Sequence, residues 1–154
     1  TIESFGFKPI ANLTGHSIER YTVHAGKSIP NVGDHGEDVL EEGDLIAVEP
    51  FATNGAGKVD GRKSGNIYRI MRVREIRPEA TSRFLQDVHA KFNRLPFAER
   101  WCDRDDKKAP AHIARLLRQG LVTAYPSLFD IAQGIVSQAE HTMIVTAGGA
   151  EVLT

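Results

Sequence analysis

The sequence predicts an α+β fold, with strands gathered towards both ends of the chain and helices in its middle. Three observations carry that prediction. Residues 18–24 and 45–48 are short runs of β-forming or apolar residues closed by glycine or proline. Residues 135–145 form a longer run of the same type, followed by Ala147-Gly148-Gly149 and a returning Glu151-Val152-Leu153-Thr154, the pattern of a hairpin. Between these lie two apolar stripes at helical spacing.

Residues 1–15 read as an entry segment. In 18–24, Tyr21, Thr22 and Val23 favour a strand, which would place His24 on one face with Arg20 and Thr22. His16 precedes that strand, next to Gly15, and its direction does not follow from parity. Residues 31–44, with Gly33, Asp34, His35 and Gly36, form a polar loop, and Glu42-Gly43-Asp44 turns into the next strand. There Leu45, Ala47, Glu49 and Phe51 share a face, and a carboxylate at the end of a buried strand needs a partner or a cation. Residues 53–65 read as a glycine-rich loop. Gly57-Lys58 lacks the flanking glycine and hydroxyl of a phosphate loop, because Ala52 and Val59 stand in those positions. Residues 68–74 alternate as a strand. A helix follows over 79–92 on Phe84, Val88 and Phe92, and a second starts at Pro110, buries Ile113, Leu116 and Leu117, and stops at Gly120. On the last long strand, Gln138, Glu140, Thr142 and Ile144 share a face.

Composition narrows the function classes. No run of about 18 apolar residues is present, so no membrane-spanning helix is predicted. The single Cys102 forms no internal disulfide, which points to a reducing, cytoplasmic setting. The chain starts at Thr1 with neither an initiator Met nor a signal-type region, so a piece of a longer protein is predicted. Residues 62–118 hold 15 Lys and Arg against 7 Asp and Glu, a net of +8, while the remainder carries −9. The acidic part suits a cation and the basic part suits a polyanion.

His16, Glu49 and Glu140 make a mixed imidazole and carboxylate set of the kind used by Mn, Fe, Co or Zn hydrolases. No His-Glu-x-x-His helix, Gly-x-Ser-x-Gly elbow or cysteine-nucleophile pattern competes with it.

Asn12-Leu13-Thr14-Gly15-His16, Val23-His24-Ala25-Gly26, Glu42-Gly43-Asp44 through Glu49-Pro50-Phe51, and Gln138-Ala139-Glu140-His141-Thr142 resemble type II methionine aminopeptidases of archaeal kind. The resemblance runs from about Gly6 to the end and includes the basic insertion with Leu95-Pro96-Phe97 and Arg100-Trp101. It implies the C-terminal half of a pita-bread fold, residues 1–75 and 126–154, with an inserted helical, winged-helix-like subdomain at 76–125. It implies removal of the initiator methionine from nascent chains at two divalent metal ions (Co, Mn, Fe or Zn). His16, Glu49 and Glu140 match metal ligands, Glu49 also serving in proton transfer and Glu140 bridging the two ions. His24 matches the histidine that contacts the scissile peptide, and Val23, Phe51 and Tyr125 fall in the methionine pocket, as does Pro96. The family's two aspartate ligands and a third histidine lie in an N-terminal half outside this chain, and Asp34, Asp38 and Asp44 do not replace them. The resemblance therefore implies a chain inactive alone, completed in cis or by a second chain. Its partners would be a peptide with an N-terminal Met and, through the insertion, the ribosome. The alternatives are a non-catalytic pita-bread relative that binds protein partners, and a winged-helix nucleic-acid binder.

Overall fold

The computed structural model describes residues 1–33 and 37–154. Asp34, His35 and Gly36, part of the polar loop expected over 31–44, lie outside the described residues. The chain divides into two units, one formed by residues 1–62 and 128–154 and the other by residues 63–127.

In the first unit the strands are β1 (Lys8–Pro9), β2 (Thr14–Ser17), β3 (Ser28–Pro30), β4 (Leu45–Val48) and β5 (Phe51–Thr53). The chain then runs along β6 (Val59–Ile70) into the second unit. There it forms helix α1 (Glu79–Phe92), β7 (Phe97–Ala98), α2 (Glu99–Asp103) and α3 (Ala109–Arg118). It returns along β8 (Val122–Asp130) and ends in β9 (Val136–Gln138), β10 (His141–Thr146) and β11 (Gly149–Val152).

The first unit holds a five-stranded sheet in the order β11-β10-β4-β2-β3 and a three-stranded sheet β1-β5-β9. All of the strand pairs recorded in them are antiparallel. Two of the elements predicted for these two sheets differ. The long strand expected over 135–145 is broken at Ala139-Glu140 into β9 and β10, which belong to different sheets. The break faces the Glu49-Pro50 step between β4 and β5, where proline removes a ladder donor and the chain also changes sheet. Register is nevertheless kept through the corner: His141 pairs with Val48 and Gln138 with Phe51, which leaves Glu140 opposite Glu49.

The second difference lies at 18–24, which is a tight reversal rather than a strand. Glu19 and Thr22 bridge each other and Tyr21 takes a positive φ of 60°. The strand is instead 14–17, including His16. Local β-propensity at Tyr21 to Val23 loses to the packing advantage of Gly15, whose lack of a side chain admits the β4 backbone.

The second unit carries the clearest apolar core. Phe84, Leu85 and Val88 of α1 and Ile113 and Leu116 of α3 pack with Tyr68, Ile70, Phe97, Leu121 and Val122. Both helices follow the predicted stripes. Pro110 stands in the first turn of α3, and Gly120 at φ 62° supplies the left-handed residue after it. The sheet here is β7-β6-β8. β6 reaches back to Val59, through residues expected as loop, and Tyr68 and Ile70 near its end enter the core. At Gly65 the carbonyl of Tyr125 on β8 approaches so closely that a Cβ would sit 2.8 Å away, so β8 reads the absence of a side chain. No helix among the described residues is long and apolar enough to cross a membrane.

Candidate functional site

Register and pleat bring three of the predicted residues to one edge of the first unit. His16 on β2 pairs with Ala47 on β4, so Glu49, two residues on, is its diagonal neighbour. His16 Nε2 lies 3.0 Å from Glu49 Oε1. Glu140 stands opposite Glu49 across the β4–β5 and β9–β10 corner. The loop that follows β2 folds back on Ser17, whose N–H donates to the Lys27 carbonyl at 2.9 Å and whose carbonyl accepts from Ala25 N–H at 2.8 Å. That closure carries His24 over His16, with ring centroids 4.2 Å apart.

His16 is 8% exposed and Glu49 half-buried, whereas His24 and Glu140 are exposed. The exposure of Glu140 corrects the expectation of a charge in the middle of an apolar strand: it sits in the break between two strands. Burial pushes the Glu49 carboxyl above its ordinary value, the charge of Glu140 adds to the rise, and His16 opposes it.

The donor set bears on a cation. His16 Nδ1 lies 3.2 Å from the Ser17 carbonyl, an acceptor, so Nδ1 carries the hydrogen. A neutral imidazole then turns the Nε2 lone pair towards a carboxylate oxygen 3.0 Å away. Only a proton or a cation between the two makes that contact favourable, and a second carboxylate opposite deepens the demand. His16, Glu49 and Glu140 therefore fit a divalent ion chemically. Among the described residues no three His, Cys, Asp or Glu side chains close into a metal-binding group.

Of the other predicted site residues, Val23 is half-buried in the loop beside His24, and Phe51 is half-buried at the start of β5. Tyr125 and Pro96 are half-buried in the second unit, Tyr125 on β8. Asp44 is taken by Lys27 at 2.6 Å and Asp38 accepts from the Ser28 N–H at 2.7 Å, so both acids serve local structure. Cys102 is buried, and burial pushes its thiol up, as for an inert cysteine.

Two residues escaped the sequence reading. Gln138 donates from Nε2 to Glu49 Oε2 at 2.9 Å. Its parity with Glu140 was the available signal. Asp130, 2% exposed, accepts from the N–H groups of Ala56 and Ala132 at 2.8–3.0 Å and from those of Gly57 and Gly134 at 3.3 and 3.4 Å. The Thr53 hydroxyl donates to it at 3.3 Å. Those donors hold its carboxyl down to about 2 and tie the turn after β5 to the end of β8. A lone acid in glycine-rich surroundings was the only hint.

No protein-family model matches the chain. A methionine aminopeptidase of Methanocaldococcus jannaschii is 42% identical over 153 residues, 99% of this chain and 52% of that protein. One of Archaeoglobus fulgidus is 46% identical over 154 residues, again 99% and 52%. The chain belongs to the methionine aminopeptidase family. It spans about half the length of the curated relatives it matches, corresponding to the C-terminal portion of a type II methionine aminopeptidase. Among solved structures, a thermophilic Arx1 matches with a TM-score of 0.78 at 22% identity, covering 97% of this chain and 41% of that one. That likeness gives the fold: the C-terminal half of a pita-bread architecture, as in the methionine aminopeptidases, with an inserted helical subdomain.

Proposed function

We propose that this chain contributes one side of a metal-dependent peptidase site that removes N-terminal methionine from peptides and nascent proteins. The observation that carries the reading is Glu49, contacted by His16 and faced by Glu140 in one antiparallel register. His16, Glu49 and Glu140 would hold divalent metal (Co, Mn, Fe or Zn), Glu140 being shared between two ions. Such ions, when bound, lower the pKa of a water and polarise the scissile carbonyl.

The chain's own residues do the rest. Glu49, whose proton affinity is already raised, accepts the proton from the attacking water. His24, whose ring lies tilted against that of His16, donates towards the oxygen of the scissile carbonyl as negative charge develops there. Val23 and Phe51, both in the first unit, line the pocket for the methionine side chain. One ion would have three donors here and the other only Glu140, so the remaining ligands come from the other half of the family's length, in cis or as a second chain. The buried, unpaired Cys102 supports a cytoplasmic setting.

Methionine release from Met-Ala-Ser, with Mn or Co supplied anaerobically, tests the reading beside Glu140→Ala. The expected outcome is no turnover by the 154-residue chain alone, and turnover restored by the family's other half only when Glu140 is intact. Turnover that survives E140A overturns it.

The basic surplus of residues 62–118 favours a second role, contact with the ribosome or another polyanion. Arg115 and Arg118 on α3 are exposed and suited to phosphate. Neutralising both is expected to weaken RNA binding and flatten its salt dependence.

A further inference from the structure

The site residues assigned above leave the Gln138 contact without a role. A carboxylate offers only acceptors, so it is the amide nitrogen of Gln138 that faces Glu49, at 2.9 Å from Oε2. The other oxygen of Glu49 lies 3.0 Å from His16 Nε2. Glu49 thus meets a side chain at each oxygen, from two different strands, β2 and β9, and of the two it is Gln138 that donates a hydrogen bond to it. β9 reaches it because Gln138 pairs with Phe51, and because Ala139 N–H donates to the Pro50 carbonyl at 3.2 Å, which keeps the two chains together through the corner.

A glutamate with three rotatable bonds that must both ligate an ion and accept a proton gains from having its rotamer set beforehand. Resting on the reading of Glu49 as a ligand and proton acceptor, we infer that Gln138 is a positioning residue: its amide orients the Glu49 carboxylate towards His16 and keeps it from swinging towards Glu140. The amide is suited to this task and a charged donor is not. It gives Glu49 a hydrogen bond without adding a cation that would compete with the metal at two facing carboxylates. Its own exposure means that the contact is made at the open edge of the sheet, where no other described hydrogen bond fixes Oε2.

The test uses the full chain and Co(II) as probe. Gln138→Met keeps the length of the side chain and removes the donor, Gln138→Ala removes the side chain, and Glu49→Gln is the control. Titration calorimetry reads affinity, the visible absorption of Co(II) reads the ligand field, and amide exchange reads the β5–β9 pairing. The expected result for Q138M is about a 10-fold loss of Co(II) affinity, the low end for partners that orient ligands, with a changed spectrum and unchanged amide protection. Q138A should match it. If both variants keep the parental affinity and spectrum while E49Q loses binding, the inference falls and the site reading stands. If E49Q also binds as the parent does, or the parent binds no Co(II), the site reading falls and takes the inference with it. A loss of affinity that tracks a loss of β5–β9 protection in both variants also overturns positioning.

Discussion

Gly15 sits where the site is most sensitive to a single carbon. A Cβ at this position would meet the Ala47 carbonyl oxygen at 2.2 Å, with the carbonyl carbon and the Glu49 nitrogen each at 3.2 Å. These are backbone atoms of the neighbouring strand and cannot rotate away. Restoring ordinary contact for Gly15→Ala requires β2 to retreat from β4 by about 1 Å, enough to stretch hydrogen bonds beyond useful length. The pairs at risk are His16 with Ala47 and Ser17 with Ile46. Overpacking costs about 1–3 kcal/mol and each weakened backbone bond about 1 kcal/mol, so a destabilisation of about 3 kcal/mol is expected. Because His16 rides on the displaced strand, its 3.0 Å contact with Glu49 opens as well. Urea unfolding followed by circular dichroism gives the free-energy change, and amide exchange at 14–17 and 45–48 locates it. Gly148→Ala is the control, since a Cβ there meets nothing within 4 Å and its φ lies outside the left-handed region. An unchanged G15A in stability, exchange and Co(II) affinity would refute the reasoning.

Three further outcomes are expected. Asp130 has its folded carboxyl lowered to about 2, so its contribution is present above the unfolded value near 4 and is lost as pH falls towards 2. Acid titration of parent and Asp130→Asn should show the parent losing stability in that window while the variant, less stable at neutral pH, changes less. Glu140→Gln removes the opposing charge, so carbon NMR should find the Glu49 carboxyl titrating lower than in the parent; no change would sink the facing-carboxylate geometry. Leu116→Ala, at a core position 1% exposed, should cost about 2–5 kcal/mol, read from the fluorescence of the single Trp101 in the same unit.

What could be read from sequence was what repeats locally. Phe84, Val88 and Phe92 mark α1 because four-residue spacing survives any tertiary context, and Pro110 with Gly120 marks both ends of α3. Residues 18–24 misled because strand propensity is a preference for a half-buried pleat, and the pleat formed one segment earlier, where Gly15 admits a neighbour. Likewise 59–65 reads as loop until β8 lies beside it. For the site, parity placed Ala47 and Glu49 on one face, but neither the pairing of β2 with β4 nor that of β10 with β4 is written in either strand alone. His16 and Glu140 were singled out by residue type and by resemblance, while Gln138, although it lies in the same motif as Glu140 and shares its parity, is an uncharged amide whose type points to no metal or acid–base role.

The corner at Glu49-Pro50 and Ala139-Glu140 has a consequence for which sequence changes the chain tolerates. Two strand pairs share one unbroken count of residues across it. Inserting or deleting a single residue between Val48 and Phe51, or between Gln138 and His141, offsets that count by one and turns a carboxylate to the other face. An insertion of two preserves the facing but lengthens the bend. Length at this corner is therefore constrained as tightly as chemistry, and shuffled or grafted versions of the half-fold will keep or lose the site according to arithmetic before any question of residue identity arises.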